Sequence, residues 1–381
     1  MINARRLIRA EPSFGLTTKL WQISWLYVLL LCALASVGYL ALYSAAGAPE
    51  PYASKHIIRF GFGLVMMLCI AVTDIRFIAR FSYVVYGFSV ALLMLVLRMG
   101  HVGKGAQRWI ELGGTQIQPS ELAKIGLVMA LAAWFHRASL ERMGNPLFLI
   151  PPALMIAVPV ALILKEPNLG TAVITGLVGA AVVLAAGIRW WKVVALAIPV
   201  PFVAQYAYAH LHDYQRARIT TFMNPESDPL GAGYNIIQSK IALGSGGMWG
   251  KGFLQGTQGH LNFLPEKHTD FIQAVLAEEF GLVGMLGLMA LLAAIVAGGV
   301  LMALRCRNQY GRLLALGIAF NFSMYCFVNT AMVTGAIPVG GVPLPLVSHG
   351  GSAMLTVMFG FGLLMSVHVH RDAEFKDGRE D

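Results

Sequence analysis

Long apolar segments recur along the 381-residue chain and constrain its fold more than any other feature. Several run for about 18 residues or more, which is long enough for a helix to cross a bilayer core of roughly 30 Å. Only 12% of the residues are charged, whereas a soluble domain carries about 25%. Because the alternation of apolar and polar residues typical of strands is poor, helices rather than a barrel must satisfy the backbone in lipid. The sequence therefore predicts an all-α polytopic membrane protein.

Ten membrane helices are predicted from the apolar segments. Their approximate spans are 22–45, 57–74, 79–98, 121–137, 147–164, 169–188, 191–209, 271–304, 311–333 and 347–369. The span 271–304 is longer than one crossing requires, so we expect part of it to stand outside the hydrocarbon. The chain is then one membrane domain, residues 1–381, with a large extracytoplasmic loop at 210–270 between helices 7 and 8 and a mobile cytoplasmic tail at 370–381.

Basic residues predict the orientation, because with ten spans those in the short loops fall on the same side. They are Arg5, Arg6, Arg9 and Lys19 before the first helix, then Arg76, Arg80, Arg137, Arg142, Arg189, Lys192, Arg305, Arg307 and Arg312. The positive-inside rule assigns this side, and with it both termini, to the cytoplasm. The apolar stretch from Trp25 to Tyr43 exceeds the h-region of about 7–15 residues of a signal peptide, so we interpret it as a retained first helix.

The net charge of +9 does not predict nucleic-acid binding, since no basic stripe with interleaved aromatic residues is present. Basic residues on the predicted outer side run against the positive-inside bias and require another explanation, either an anionic ligand or lipid headgroups. They include Arg108, Arg216, Arg218, Lys240, Lys251 and Lys267. The four cysteines have no metal-ligand spacing and suggest no disulfide framework.

The stretch FLPEKHTDFIQ, residues 263–273, places titratable side chains just before an apolar helix. They are Glu266, Lys267, His268 and Asp270. One interpretation is structural, with Thr269 or Asp270 as the N-cap of that helix. The other is catalytic, because a carboxylate held at the outer membrane surface beside basic residues is what a general base requires. The two interpretations are compatible, since a capping carboxylate is also fixed in space.

Two more carboxylates, Glu278 and Glu279, lie within the helix that follows. Ionisable residues in a membrane helix are costly and usually face a protein interior or a water-filled cavity. Glu278 follows Asp270 by eight positions, which places both roughly on one helix face. The two glutamates either pair with basic side chains elsewhere in the chain or contact a ligand directly.

The stretch QRWIELGGTQIQPSELAK, residues 107–124, precedes and opens the fourth predicted helix. Ser120 is predicted to be its N-cap, and Glu121 and Lys124 form an i,i+3 pair in the first turn. Upstream, Arg108 could hold a phosphate while the Trp109 indole sits at the membrane interface. Glycine-dense residues 241–253 lack the GK[ST] ending of a Walker loop and predict a tight, re-entrant or surface loop.

Together these segments resemble the SEDS family (shape, elongation, division and sporulation). The matching stretches occur in the family's order and the ten-helix layout covers nearly the whole chain. They are GAQRWIELGGTQIQPSELAK, EPNLGTA, YNIIQSKIALGSGGMWGKGF, GTQGHLNFLPEKHTDFIQAVLAEEFG and PVGGVPLPLVSHGGS. The sequence LNFLPEKHTDF resembles the elongation branch, RodA, more than the division branch, FtsW.

The resemblance implies a peptidoglycan glycosyltransferase, a hexosyltransferase that polymerises lipid II at the outer face of the bacterial inner membrane during cell elongation. Lipid II is a disaccharide-pentapeptide carried on undecaprenyl pyrophosphate. The resemblance also implies that Asp270 is the essential aspartate, which we interpret as the general base, and that Glu121 and Lys124 are the family's supporting pair. The usual partner is a class B penicillin-binding protein, a PBP2-type transpeptidase.

The expected site then has two groups of residues besides Asp270. Candidates for substrate binding are Arg108, Trp109, Arg216, Arg218, Lys267 and His268, and candidates for support are Glu121, Lys124, Glu278 and Glu279. No compact set of outer carboxylates predicts a metal site, and whether Mg²⁺ or Mn²⁺ assists the pyrophosphate stays open. Asn168 and His349 stand where the family usually has Asp and Tyr. The alternatives are a lipid II flippase, a division-type member and a non-catalytic scaffold.

Overall fold

The computed structural model describes residues 15–103, 106–112, 115–136, 138, 145–166, 168–192, 232–261 and 263–373. The helices are α1 (Leu16–Gln22), α2 (Trp25–Ala46), α3 (Tyr52–Ala71), α4 (Ile75–Met99), α5 (Pro119–His136), α6 (Ile150–Lys165), α7 (Leu169–Ala185), α8 (Ala232–Ser245), α9 (Thr257–His260), α10 (Ile272–Arg305), α11 (Gln309–Val333) and α12 (Gly351–Val369). A 3₁₀ turn, Pro146–Leu149, precedes α6. The strands are β1 (His101–Gly103), β2 (Ala106–Leu112) and β3 (Thr115–Ile117).

Seven of the described helices are long and apolar enough to cross a membrane, namely α2, α3, α4, α6 with its 3₁₀ turn, α10, α11 and α12. A helix covers the middle of every predicted span that lies within the described residues, which confirms the helical membrane fold. The predicted span 191–209 lies outside them except for its first two residues, as do 210–231 of the predicted loop and 374–381 of the predicted tail. The count of ten spans therefore stays a prediction.

A three-stranded antiparallel sheet connects α4 to α5 and was not expected from the sequence. Strand β2 is central, with β1 on one side and β3 on the other. Ile110 of β2 pairs with Ile117 of β3. The outer strands have three residues each, too few for a two-residue alternation to stand out in a sequence. The central strand, β2, carries Arg108 and Trp109.

Helix α10 is broken at Gly281, whose φ of 63° and ψ of −160° are not helical. The glycine-dense stretch after α8 packs against this break: Leu282 N donates to Gly247 O at 2.9 Å, and a Cβ on Gly281 would lie 2.3 Å from Gly250 N. Only glycine allows two backbones to approach this closely. The break divides the long apolar span into a short segment, largely buried in the protein, and a longer helix.

The predicted caps of two helices are wrong. Helix α10 begins at Ile272, and Phe271 occupies its N-cap position without a side-chain hydrogen bond, so neither Thr269 nor Asp270 is the cap. Helix α5 begins at Pro119. Ser120 therefore lies inside the first turn, where its Oγ is buried without a hydrogen-bond partner. Phe271 is fully buried at the entrance to α10, and Pro119 suits the first position of α5 because the N–H that proline lacks would have no partner there.

Among the described helices that make up the bundle, α5 and α12 are buried along most of their length, and α11 along more than half of it. Helix α12 packs along α3, α10 packs along α11, and α5 packs along α4. Large aromatic side chains fill the space between them: Phe361 of α12 lies edge-on to Phe322 of α11 and to Tyr27 of α2. This core supports the ends of α5, α10 and α11, where polar side chains converge.

Candidate active site

A cavity of about 420 Å³ opens where the small sheet, the first turns of α5 and α7 and the entrance to α10 meet. The segments 339–343 and 349–353 complete its wall. The charged and titratable side chains that line it are Arg108, Glu121, Lys124, Glu266, Asp270 and His349. Trp109, Asn168 and Tyr325 also contribute to the lining. The cavity therefore brings together residues from all five stretches that carry the family resemblance in the sequence.

Asp270 lies two residues before α10, on the wall formed by residues 266–271. Its backbone carbonyl accepts a hydrogen bond from Asn329 Nδ2 at 2.9 Å, and the same nitrogen donates to Val342 O at 2.7 Å. A Cβ on Gly341 would lie 3.8 Å from Asp270 Oδ2, so the carboxylate faces that loop. The aspartate is thus fixed by contacts from α11 and from the loop before α12 rather than by capping.

Glu121 and Lys124 form a buried ion pair in the first turn of α5. Lys124 Nζ lies 2.8 Å from Glu121 Oε1, and the side chains are 1% and 6% exposed. The Tyr325 hydroxyl of α11 accepts from Lys124 Nζ and donates to Glu121 Oε2. A buried ion pair needs additional hydrogen bonds to offset its desolvation, and this tyrosine supplies them. No spacing in the sequence links Tyr325 to the pair, because the three residues meet only through tertiary packing.

Arg108 and Glu166 meet at the edge of the cavity. Arg108 Nε donates to the backbone O of Glu166 at 3.2 Å. The Glu166 carboxyl is fully buried and neither of its oxygens has a hydrogen-bond partner among the described residues. Burial raises the pKa of this carboxyl to about 8, and the nearby Arg108 charge opposes the rise. At physiological pH a carboxyl with this pKa is mostly protonated, so Glu166 neutralises little of the Arg108 charge.

His349 lies on the opposite wall and contacts α3. Arg59 Nη1 approaches His349 Nε2 to 3.4 Å, and His349 N donates to His268 O at 2.8 Å. Burial, followed by the Arg59 charge, lowers the pKa of His349 to about 4. The ring is therefore neutral at physiological pH and adds no charge to the cavity.

The cavity lining combines three carboxylates, Glu121, Glu266 and Asp270, with the two cations Arg108 and Lys124 in a partly enclosed space. Asp270 can accept a proton, while Arg108 and Lys124 favour negative charge on a bound group. Within the described residues, no group of three His, Cys, Asp or Glu side chains is placed to hold a metal ion. The arrangement suits displacement of an anionic leaving group by a hydroxyl nucleophile.

The model of the FtsW/RodA/SpoVE family of cell cycle proteins matches residues 17–373. The chain belongs to this family. Among curated SEDS relatives, the peptidoglycan glycosyltransferase MrdB of Escherichia coli K12 is 44% identical over 349 residues, which cover 90% of this chain and 93% of that protein. The probable peptidoglycan glycosyltransferase FtsW of Trichlorobacter lovleyi is 34% identical over 361 residues, covering 92% and 94% of the two chains.

Solved SEDS structures have the same fold. One is a chain from a structural study of the coordination of polymerization and crosslinking by a peptidoglycan synthase complex. It has a TM-score of 0.78 and 34% identity to this chain, and the match covers 93% of this chain and 99% of that one. The rod shape determining protein RodA of Thermus thermophilus has a TM-score of 0.70 and 30% identity, covering 92% and 98%. The likeness covers nearly the whole of each chain.

Lys267 and His268, two of the predicted substrate ligands, do not line the cavity. Lys267 is buried, and its Nζ donates to Gly259 O at 2.6 Å. The His268 ring stacks on Tyr52, with ring centroids 4.0 Å apart. Burial and the Lys267 charge lower the pKa of His268 to about 4. In this SEDS chain both residues lie behind the wall that carries Asp270.

Glu278 and Glu279 also lie away from the cavity, so Glu278 does not share a functional face with Asp270. Glu278 Oε1 accepts from Lys251 Nζ at 2.6 Å and from the backbone N of Thr257 at 2.8 Å, which confirms its pairing with a basic side chain. Glu279 accepts a hydrogen bond from Ser44 of α2. Arg216 and Arg218 lie outside the described residues.

Asn168 occupies the position of the usual family aspartate without losing its local role. It is the N-cap of α7, and its Oδ1 accepts from Thr171 N at 3.4 Å. Asn and Asp are comparable N-caps. The substitution removes a negative charge from the cavity lining and retains the start of the helix.

Proposed function

We propose that the chain is an elongation-type peptidoglycan glycosyltransferase that polymerises lipid II into glycan strands, with Asp270 as general base. The observation that carries this proposal is the convergence of Asp270, Arg108 and Lys124 on one cavity. The names and the near-complete coverage of the SEDS relatives support the activity, and the greater identity to MrdB than to the FtsW relative supports the elongation branch.

The reaction requires a weak nucleophile, a sugar hydroxyl, to displace a pyrophosphate from an anomeric carbon. As the new C–O bond forms and the bond to the pyrophosphate oxygen breaks, Asp270 accepts the hydroxyl proton. Undecaprenyl pyrophosphate leaves with the electron pair of the broken bond. A single displacement of this kind inverts the anomeric centre and forms no covalent intermediate with the protein.

Arg108 has the best position to bind the pyrophosphate. Its guanidinium is fixed on β2 by the bond to Glu166 O, and a planar fork suits phosphate oxygens. Lys124 is held by Glu121 and Tyr325, so we assign it a smaller part in binding the pyrophosphate. Its charge acts on the leaving group electrostatically, without direct contact. Trp109, beside Arg108 on the same strand, would pack against the apolar part of the substrate.

A divalent cation would fit this chemistry as an auxiliary group. Mg²⁺ usually binds through one or two carboxylates together with substrate phosphates, and Glu266 and Asp270 both present carboxylates to the cavity. Bound Mg²⁺ or Mn²⁺ would neutralise charge on the pyrophosphate. Comparing rates after chelation with rates after re-addition of each metal tests this part of the proposal.

The chain is proposed to act in the bacterial inner membrane with both termini cytoplasmic and the cavity on the outer face. A class B penicillin-binding protein of the PBP2 type is the proposed partner. The fold shared with a chain of a peptidoglycan synthase complex supports this pairing.

Purified full-length chain, with and without the co-purified partner, would be supplied with fluorescent lipid II. We expect glycan strands from the wild type and none from Asp270→Ala or Asp270→Asn of equal thermal stability. Normal polymerisation by either variant would overturn the role of Asp270. A parallel proteoliposome assay for lipid II translocation separates polymerase from flippase, because a flippase moves lipid without making strands.

A further inference from the structure

We propose that Asn329 of α11 is a positioning residue that orients Asp270 for proton abstraction. This inference rests on the function proposed above and adds to it a residue that neither the sequence motifs nor the cavity lining points to. Asn329 lies one helical turn after Tyr325 and its side chain is completely buried. The residues that line the cavity do not include it, so it acts through Asp270 rather than on substrate.

The side chain of Asn329 joins two separate segments of the site. Its Nδ2 donates to Asp270 O at 2.9 Å and to Val342 O at 2.7 Å. An amide nitrogen carries two hydrogens, and both are used here. Asn329 thus ties the segment that carries Asp270 to the loop that contains Gly341, which faces the Asp270 carboxylate.

A second bond holds the same two segments together nearby. His349 N donates to His268 O at 2.8 Å, two residues before Asp270. Asp270 is not the cap of α10 and receives no orientation from the start of that helix. Local backbone bonds from Thr269 N and Phe271 N to Glu266 O shape the turn around Asp270, and these two cross-segment bonds fix that turn against the rest of the site. Asn329 makes the cross-segment bond at Asp270 itself.

The chemistry of this position requires two neutral donors in a small side chain. An aspartate would bring a negative charge against two carbonyl oxygens, and a leucine would leave both carbonyls without a partner. A serine has one hydroxyl hydrogen and could retain only one of the two bonds. These differences give a graded series in which the orientation of Asp270, and not the shape of the cavity, is varied.

The test compares Asn329→Ala, Asn329→Ser and wild type by steady-state kinetics of lipid II polymerisation, using the full-length chain with its partner. We expect kcat to fall about 10- to 100-fold for alanine and less for serine, with KM for lipid II changed by less than about threefold, since a small misplacement of a reacting group carries costs of this order. Thermal unfolding of each variant in detergent is measured alongside.

Asn321→Ala is the matched control. Asn321 is a second buried asparagine on α11, two turns before Asn329 and absent from the cavity lining. Its Oδ1 has no hydrogen-bond partner among the described residues. We expect this variant to retain the wild-type kcat.

Three outcomes would overturn the inference: a wild-type kcat for Asn329→Ala, a rise in KM without a fall in kcat, or an equal loss of kcat in Asn321→Ala. If Asn329→Ala does not fold, the serine variant gives the same comparison. Failure of the proposed function is a separate result, namely no strands from the wild type or normal strands from Asp270→Ala.

Discussion

Tyr325 of α11 donates its hydroxyl hydrogen to Glu121 of α5, and the same hydroxyl accepts a hydrogen bond from Lys124. The Lys124 ammonium also lies 4.2 Å from the centre of the Tyr325 ring. A pair that on a soluble helix would contribute only a few tenths of a kcal/mol is here part of a buried network between two helices. This network forms one wall of the cavity, so its integrity affects both stability and activity.

Lys124→Ala should destabilise the protein by about 3–5 kcal/mol, because it leaves the Glu121 carboxylate buried without its cation. The double variant Glu121→Gln/Lys124→Met should lose less, since no uncompensated charge remains. Thermal unfolding in detergent compares the two. A double variant less stable than Lys124→Ala would contradict the prediction.

Tyr325→Phe keeps the ring and removes the hydroxyl. We expect a loss of about 1–3 kcal/mol in the free energy of unfolding, the cost of leaving buried polar groups without a partner, and a clear loss of polymerisation. Tyr310→Phe is the control, because Tyr310 lies on the same helix and is also buried but does not line the cavity. Its hydroxyl forms a hydrogen bond of 2.8 Å with Ser82 Oγ. The control should lose stability but retain activity; equal activity losses in the two variants would argue against a role for the network in catalysis.

Gly281→Ala should strongly destabilise the chain or prevent its folding. A side chain at this positive φ is strained, and its Cβ would also lie 2.3 Å from Gly250 N. Gly287→Ala, further along α10, meets nothing within 4 Å and should be neutral or stabilising by up to about 1 kcal/mol. Expression and thermal unfolding in detergent measure both, and similar yields and melting temperatures would show that the break does not need glycine.

The pKa of Glu166, raised to about 8 from an ordinary 4.5, predicts how stability varies with pH. Because the folded state holds the proton more tightly than the unfolded state, the contribution of Glu166 is complete below about pH 4.5 and is lost as pH rises through 8. Relative to Glu166→Gln, wild type should lose at most on the order of 4 kcal/mol across that window. Melting temperatures of wild type and Glu166→Gln, measured between roughly pH 5 and 9, test this prediction. Parallel curves of melting temperature against pH would contradict it.

The sequence predicted the membrane helices well because the length of an apolar segment is a local property, and bilayer thickness sets the length that a crossing requires. It predicted Glu121 and Lys124 as a pair because the two lie in one helical turn. It missed Tyr325 and Asn329, which reach the site only when α11 packs beside α5 and the entrance to α10. Contacts of this kind have no period or spacing to detect.

Sequence reasoning also placed some charged residues wrongly. Asp270 and Glu278 share a face only if one regular helix contains both, and α10 begins after Asp270. Lys267 and His268 flank Asp270 in sequence, yet the turn-rich segment before α10 directs them into protein contacts with Gly259 and Tyr52. Proximity in sequence therefore predicted proximity in space but not a shared cavity.

The break at Gly281 also affects how membrane forces reach the active site. A continuous helix of 34 residues would be about 50 Å long. Any tilt imposed on it by bilayer thickness would also move its end beside Asp270. The regular helix is interrupted at Gly281, and the short segment between Asp270 and the break packs against protein. We therefore expect the position of Asp270 to respond less to bilayer thickness than an unbroken helix would allow.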